Sequence, residues 1–457
     1  MPRGFLDLGV AGTAKAIASA DLSVSEAAEL CIAQYEAFES TVKAWTSFDA
    51  DLLRRRAADL DAKKLKGSAL FGVPVGVKDI FNTRDFPTEM GSEIWKGFTP
   101  HNDARAVFHL LRAGAIIPGK TTTAEFAVHA LSATLNPYDA ARTPGTSSSG
   151  SAAAVAVGMV PAALGTQTAG SIIRPASFCG VYGYKPSFGL IPRTAMLKTT
   201  DSLDTIGFFV SHARDLGVML DTLRVHGTDY PIVDRKFCDS DGRLAPHKGP
   251  WRVAVIKGPA WRHAETYAQE ALFGFAKKFE ACPRIELVEP ELPDGLNRVH
   301  DLHSTIYNAS LAYYFKDESE QQHLVSPIMN ELIERGRRIG LDEYRAALTE
   351  QEELIHQMDQ RFEDFDCMVT LSTASVAPLR EDVELPDSAL VWTFLHLPAV
   401  SAPVFTSAEG LPFGLQIIGS RYGDVNLLAL IDHLAEQGLL PERSNEPRQL
   451  VHAAGAA

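Results

Sequence analysis

Apolar residues at helical spacing mark the N-terminal part of the chain. Across residues 22–40 they follow Ser23 and Glu26, which have the spacing of a helix capping box. Residues 49–64, rich in Ala, Leu, Arg and Asp, favour a second helix by composition. Both segments predict an outer helical layer with a structural role.

The next pattern is a short apolar run of the kind that forms a buried strand. Residues 70–80, LFGVPVGVKDI, place valine at alternate positions, and Lys78 lies at the end of the run. A helix at 103–114 and strand pattern at 115–117 and 119–120 follow. This order predicts a parallel, right-handed strand–helix–strand unit. A lysine at a strand end usually extends its amine to water, which is the structural interpretation of Lys78.

Two clusters of small residues frame the most apolar segment of the chain. GTSSSGS begins at residue 145, GTQTAGS begins at residue 165, and the segment 152–164 between them carries no charge. Gly, Ser and Ala allow a backbone to approach a ligand closely. A flexible linker is the alternative by composition, but a linker does not need an uncharged apolar segment. Because 152–164 is too short to span a bilayer, we predict a buried core helix with a polar loop at each end.

The rest of the pattern alternates strands and helices. Residues 183–192, punctuated by Gly and Pro, predict a connection, and 296–363 are mostly helical in pattern. Further strands are predicted at 251–256, 367–371, 399–405 and 413–418, and further helices at 212–224, 264–281 and 424–437. No repeat or linker divides the chain. We therefore expect one domain over 1–457, with a divergent, mostly helical insertion at 228–365 that covers part of one face.

Composition excludes several function classes. The chain has 457 residues, is 46% hydrophobic and carries a formal net charge of −14, which argues against a nucleic-acid-binding surface. Its five cysteines form no C-x-x-C pair, so neither a disulfide framework nor a zinc site is predicted. Asp7 and Lys15 interrupt the N-terminal apolar run, so we expect no signal peptide and a cytoplasmic protein.

Three groups of residues can be combined into a site for acyl transfer, namely Lys78, the serines at 147–149 and 151, and Ser171. Acyl transfer requires a nucleophile, a base and donors for the developing oxyanion. The chain has no G-x-S-x-G or H-E-x-x-H sequence, and its histidines form no ligand pattern. A serine without a partnered histidine needs another base, and a buried lysine can serve where desolvation keeps it neutral.

On these residues the chain resembles the amidase signature enzymes, a family of Ser–cis-Ser–Lys hydrolases. The matching segments are GVPVGVKD at 72–79, GKTTTAEFA at 119–127, NPYDAARTPGTSSSGSAAA at 136–154, LGTQTAGSIIRPASFCGVYGYKPSFG at 164–189, SLDTIG at 202–207, LPAVSAPV at 397–404 and LPFGLQIIG at 411–419. They keep the family's order and cover most of the chain outside 228–365. The resemblance implies an α/β fold with a mixed, mostly parallel central sheet sandwiched by helices, and neither a cofactor nor a metal.

The resemblance also assigns roles to residues. It implies that Ser171 is the nucleophile, Ser147 the bridging serine and Lys78 the base. The N–H groups of the oxyanion hole would be those of Thr168, Ala169, Gly170 and Ser171. Lys78 would be kept dry and neutral at the end of its apolar strand, and Ser147 would relay the proton from Ser171. Ser171 would then attack the carbonyl, and water would hydrolyse the acyl-enzyme.

Four positions depart from the family pattern. Gln167 stands where Asp is usual, Ala169 and Ser149 stand where Gly is usual, and Arg174 comes one position late in S-I-I-R-P. The differences concern the shape of the oxyanion loop and its supporting contacts, and they leave the three implied catalytic groups in place. They also argue against a close match to the glutamine-hydrolysing subunit of a tRNA amidotransferase.

The sequence leaves three functions open. The first is a stand-alone hydrolase of carboxylic amides, with carbamates and anilides included. The second is an amidotransferase A-type subunit in a multiprotein complex, and the third is an inactive scaffold. We expect a small-molecule amide or carbamate as substrate and neither nucleic acid nor membrane as partner, and we leave a homodimer open. Glu125 and Asp79 are predicted to be structural partners rather than catalytic acids, and Cys179 a packing residue.

Overall fold

The computed structural model describes residues 4–63, 68–226, 247, 249–258, 260–382, 384–386 and 389–447. The helices are α1 Phe5–Ala18, α2 Val24–Val42, α3 Ala50–Lys63, α4 Arg105–Arg112, α5 Ser149–Ala156, α6 Ile173–Cys179, α7 Asp215–Leu223, α8 Thr266–Phe279, α9 Val299–Tyr314, α10 Pro327–Arg337, α11 Leu341–Arg361, α12 Ala389–Phe394 and α13 Asp424–Glu436. The strands are β1 Trp45–Phe48, β2 Val75–Lys78, β3 Gly119–Thr121, β4 Ala162–Gln167, β5 Tyr182–Lys185, β6 Thr205–Val210, β7 Trp251–Val255, β8 Ile285–Val288, β9 Cys367–Leu371, β10 Ala399–Thr406 and β11 Pro412–Gly419. In these residues, no helix has the length and apolar character needed to cross a membrane.

A single mixed sheet joins the eleven strands of the described residues in the order β1-β3-β2-β4-β6-β5-β10-β11-β9-β7-β8. The pairs β2–β3, β2–β4, β7–β8 and β7–β9 are parallel, and the other neighbouring pairs are antiparallel. The mixed sheet flanked by helices is confirmed, but the expectation that parallel pairs predominate is wrong. The reason is local: β10 and β11 are joined by a short turn, which forces antiparallel pairing, and β6 returns between β4 and β5.

Two apolar cores lie on opposite faces of this sheet. Side chains alternate along a strand, so Ala162 and Leu164 of β4 pack into one core while Ala163 packs into the other. Phe208 and Phe209 of β6 divide in the same way. The central strands are therefore buried on both sides, and a polar side chain at the end of such a strand has little access to water.

Most predicted elements are confirmed. The capping box at the start of α2 is present, with Ser23 and Glu26 each accepting from the other's backbone N–H. The predicted parallel unit is β2, α4 and β3, in which Val77 pairs with Lys120. The later strands and helices fall at or within a few residues of the predicted ranges.

The prediction of one buried helix at 152–164 is wrong. The helix α5 ends at Ala156, and the strand β4 begins at Ala162. Between them Gly158 has φ +70°, a left-handed conformation that ends a helix and favours glycine. Small apolar residues suit a buried helix and a buried strand equally well, so the pattern alone did not locate this boundary.

The first residues of the connection predicted at 183–192 belong to the strand β5, which pairs with β6 and β10. Glycine fits inside this strand because a Cβ at Gly183 would lie 2.4 Å from the Cβ of Ala176. Residues 228–365 contribute β7 and β8 to the same sheet, together with α8 to α11. Part of that segment, 228–246, 248 and 259, lies outside the described residues. The assignment of 228–365 as an insertion in one domain stays a prediction.

Two helical glycines give opposite predictions for stability. A Cβ at Gly150, in α5, would lie 2.3 Å from the Ala44 carbonyl oxygen and 2.5 Å from the Thr122 nitrogen, whereas one at Gly274, in α8, would meet nothing within 4 Å. We expect Gly150→Ala to destabilise the protein by about 3 kcal/mol through overpacking. Gly274→Ala should stabilise it by about 0.5–1 kcal/mol, because alanine loses less entropy in a helix. Urea unfolding measures both, and equal effects of the two variants would contradict the packing described for α5.

Candidate active site

Lys78 is the last residue of β2, and its side chain is fully buried. Its Nζ lies 2.8 Å from Ser147 Oγ, 2.9 Å from Ser148 Oγ and 2.9 Å from Thr166 Oγ1. Among the described residues, no carboxylate forms an ion pair with this amine. The structural interpretation, in which the amine reaches water, is therefore wrong, and three hydroxyl groups surround the amine instead.

Burial lowers the pKa of Lys78 to about 7, and the negative charge of Asp204 opposes that shift. A lowered pKa alone does not identify a base, because burial also lowers the pKa of Lys185 to about 7. Lys185 donates to the backbone carbonyls of Pro186 and Leu397 and to no serine. What distinguishes Lys78 is its contact with hydroxyl groups that can exchange a proton with it.

Lys120, on the neighbouring strand β3, provides a second contrast. It is as buried as Lys78, but its Nζ forms an ion pair with Asp79 at 3.0 Å and also donates to Thr88. Asp79 is thus the structural partner that the sequence predicted. Glu125 likewise accepts the N–H of Ser326 at the start of α10, and Cys179 is a buried packing residue.

Ser147 lies in the loop before α5, and the peptide bond between Thr146 and Ser147 is cis. Its carbonyl oxygen accepts the N–H of Ala124 at 3.1 Å. Gly145 precedes it at φ +87°, where a Cβ would lie 2.7 Å from Pro175 Cα. This loop therefore packs directly against α6, the helix that follows Ser171.

Glu384 joins the loop that carries Ser147 to α6. No sequence motif predicted a role for this glutamate. Its carboxylate accepts hydrogen bonds from Thr143 Oγ1 at 3.2 Å and from Thr146 Oγ1 at 3.3 Å. It also forms an ion pair with Arg174 Nε at 3.0 Å, while Arg174 Nη2 donates to the Thr146 carbonyl. The arginine that comes one position late in the sequence thus braces the loop that carries Ser147.

The segment 168–171 follows β4 and ends at Ser171, which is 7% exposed and lies just before α6. Gln167, at the end of β4, fixes this segment from behind. Its Oε1 accepts the N–H groups of Ile172 and Ile173 at 2.8 and 2.9 Å, and its Nε2 donates to Thr393 Oγ1 at 2.9 Å. The residue that departs from the family pattern therefore anchors the turn on which Ser171 is placed.

Residues far away in the sequence hold the beginning of this segment. Thr168 Oγ1 donates to Asp204 Oδ1 at 2.8 Å, and the Thr168 carbonyl accepts from His303 Nε2 at 2.9 Å. Thr393 Oγ1 donates to the Ala169 carbonyl at 2.7 Å. In the described part of the chain, no protein acceptor is bonded to the N–H groups of residues 168–171. Four neighbouring donors are thus available to a ligand.

The three residues predicted for the triad lie at the end of β2, in the loop before α5 and in the turn before α6. Lys78 and Ser147 are in direct hydrogen-bond contact. No hydrogen bond joins the Ser171 hydroxyl to either of them among the described residues, so the second half of the expected relay stays a prediction. Sequence reasoning missed His303, Thr393 and Glu384, and only Thr393 lies close to a matching segment, four residues before LPAVSAPV.

The chain matches known proteins along most of its length. The family model described as Amidase matches residues 26–428. The A-type subunit of the glutamyl-tRNA(Gln) amidotransferase from Chloroflexus aggregans is 30% identical over 483 aligned residues, covering 93% of this chain and 95% of that protein.

Solved structures match as well. One described as an amidase superimposes with a TM-score of 0.83 at 25% identity, covering 94% of this chain and 99% of the other. The peptide amidase from Stenotrophomonas maltophilia superimposes with a TM-score of 0.80 at 23% identity, covering 98% and 99%. The second likeness shows the fold alone. The family match over residues 26–428 and the 30% identity with the amidotransferase subunit show that the chain belongs to the amidase family, the amidase signature enzymes that hydrolyse amides.

Proposed function

We propose that the protein is a stand-alone hydrolase of carboxylic amides, with carbamates and anilides as related substrates, and that Ser171, Ser147 and Lys78 form its catalytic triad. The observation that carries this proposal is the buried Lys78 amine, which contacts Ser147 and two further hydroxyls and has no ion-pair partner among the described residues. Such an amine can exist in the neutral form that a general base requires.

The hydrogen bonds around Lys78 leave one direction for proton transfer. Ser148 Oγ donates to the Thr166 carbonyl at 3.2 Å, so Ser148 can only accept from the amine. If Thr166 Oγ1 accepts the second N–H of a neutral amine, the nitrogen lone pair faces Ser147. Ser147 is then the hydroxyl that can donate its proton to Lys78.

The proposed reaction begins with two coupled proton transfers. Ser147 gives its proton to Lys78 and takes the proton of Ser171, whose oxygen attacks the carbonyl carbon. The N–H groups of Thr168, Ala169, Gly170 and Ser171 stabilise the oxyanion. The relay returns a proton to the leaving nitrogen, the C–N bond breaks, and an acyl-enzyme forms. Water, deprotonated by the same relay, then releases the carboxylic acid and restores Ser171.

An amidotransferase A-type subunit is the second candidate, and the 30% identity with such a protein from Chloroflexus aggregans favours it. The same acyl-enzyme chemistry would release ammonia for a partner protein. Purified chain alone should hydrolyse simple aliphatic amides, anilides or carbamates if it is a stand-alone enzyme. Activity restricted to glutamine, together with co-purifying subunits, would instead assign it to the second class.

The organisation of the protein is part of the proposal. One domain over 1–457, with 228–365 reaching the active-site face, is supported by the bond between His303 and the Thr168 carbonyl. Location in the cytoplasm stays a prediction. So does a homodimer, for which light scattering of the purified protein gives the mass.

Removal of the Ser171 hydroxyl tests the proposed nucleophile. Ser171→Ala should lower kcat/KM by at least about 10⁴-fold and abolish labelling by a fluorophosphonate probe, because the nucleophile is lost. Ser151→Ala is the matched control, since Ser151 belongs to the same serine cluster but donates to the Leu164 carbonyl. Amide hydrolysis by Ser171→Ala near the wild-type rate would refute the proposed mechanism.

The pKa of about 7 for Lys78 predicts the pH dependence. The neutral amine is the active form, so kcat/KM should fall about tenfold per pH unit below pH 7 and level off above it. Steady-state kinetics from pH 5 to 9 with a non-titrating amide measures this profile.

Lys185 is the matched control for that profile. Burial gives its amine a similar pKa, but the amine donates to backbone carbonyls instead of to the serines of the site. The Lys185→Met protein that folds should show the same midpoint in the pH profile of kcat/KM as the wild type. Lys78→Met should abolish activity. A wild-type rate that stays flat down to pH 5 would contradict the assignment of Lys78 as the base.

A further inference from the structure

The carbonyl groups of the segment 168–171 are held in turn by three different donors. His303 Nε2, from α9, bonds to the Thr168 oxygen at 2.9 Å, and Thr393 Oγ1, from α12, bonds to the Ala169 oxygen at 2.7 Å. The N–H of Arg174 in α6 bonds to the Gly170 oxygen at 2.9 Å. Each of three successive peptide groups is therefore fixed at its oxygen.

Fixing a carbonyl also fixes the direction of the next N–H. The peptide group is planar, and in the trans form its C=O and N–H point in opposite directions. Neither of the two cis bonds in the described residues lies in this segment. The His303 contact thus turns the Ala169 N–H away from α9, and the Thr393 contact turns the Gly170 N–H away from α12.

The two side chains are suited to donate. A carbonyl can only accept, so the His303 imidazole carries its hydrogen on Nε2, and burial lowers its pKa to about 4, which keeps the ring neutral at working pH. Thr393 Oγ1 accepts from Gln167 Nε2 at 2.9 Å, which leaves its own hydrogen for a carbonyl. That hydrogen faces the Ala169 oxygen at 2.7 Å and the more distant Ala389 oxygen at 3.1 Å.

We propose that His303 and Thr393 are positioning residues of the oxyanion hole, which hold the Ala169 and Gly170 N–H groups toward the substrate carbonyl. The inference rests on the proposed function, since it assumes that these N–H groups bind the oxyanion. It assigns a role in the reaction to a residue of the divergent segment 228–365. Neither side chain touches the reacting atoms, so each acts through the backbone.

Apolar replacements test the two contacts. Thr393→Val is isosteric, His303→Phe keeps a planar ring of slightly larger size, and both remove the donor. Each should lower kcat about tenfold while KM changes less than about twofold. The loss is smaller than the 10²–10³-fold that follows removal of an oxyanion donor itself, because the N–H remains present but less well oriented. Thr393→Ser and His303→Gln, which keep a donor at similar reach, should restore most of kcat.

Two control variants separate positioning from stability. His433→Phe removes a buried imidazole bond to the Pro283 carbonyl at 2.8 Å, and Thr222→Val removes a hydroxyl bond to the Val218 carbonyl at 2.9 Å. His433→Phe should lower Tm about as much as His303→Phe, and both control variants should leave kcat unchanged. If His303→Phe does not fold, the comparison of Thr393→Val with Thr393→Ser still decides the question.

The outcomes distinguish this inference from the proposed function. If Ser171→Ala is inactive but Thr393→Val and His303→Phe keep kcat within twofold of wild type, the positioning role is refuted and the triad stands. An increase in KM with kcat unchanged would also refute it, because oxyanion contacts form in the transition state. If wild-type protein hydrolyses no amide and the fluorophosphonate probe does not label Ser171, the proposed function fails, and this inference fails with it.

Discussion

The buried amine of Lys78 determines which groups can surround it in the site. A carboxylate beside it would only accept hydrogen bonds and would favour the charged form of the lysine, as Asp79 does for Lys120. A hydroxyl both donates and accepts. The hydroxyls of Ser147, Ser148 and Thr166 can therefore satisfy three N–H donors of the charged form or two donors and one lone pair of the neutral form. The site can change protonation state without leaving a polar group unpaired, and unpaired groups are costly in a dry interior.

Close packing around glycines brings these hydroxyls to the amine. Strands β2 and β4 are parallel neighbours, so Lys78 and the end of β4 lie at one edge of the sheet. Gly165 in β4 must lack a side chain, because a Cβ there would lie 2.7 Å from Phe209 and 3.1 Å from Ser148 Oγ. Gly145 has the same relation to Pro175. The small residues of the two clusters thus allow close packing within the protein at least as much as they allow the approach of a substrate.

The sequence predicted the parts of the site that lie within continuous segments. Lys78 stands at the end of an apolar strand and Ser147 in a serine cluster, both within segments that match the family, so their contact followed from the family resemblance. Glu384 and His303 gave no such signal, because each acts through contacts with residues more than 130 positions away. The misplaced boundary within 152–164 has another cause. Alanine-rich segments bury well in either conformation, and the choice depends on which neighbours they meet in three dimensions.

Gln167 shows how a departure from the family pattern can be compensated chemically. An aspartate at this position could accept the N–H groups of Ile172 and Ile173, as Gln167 Oε1 does. The difference lies at the other atom. Gln167 Nε2 donates to Thr393 Oγ1, which an ionised carboxylate cannot do because it carries no hydrogen, and the Thr393 hydrogen is thereby left for the Ala169 carbonyl. An amide at 167 and a hydroxyl at 393 therefore form a matched pair, in which the direction of one hydrogen bond sets the direction of the next. In this chain, the glutamine at 167 therefore helps to orient the Ala169–Gly170 peptide through Thr393.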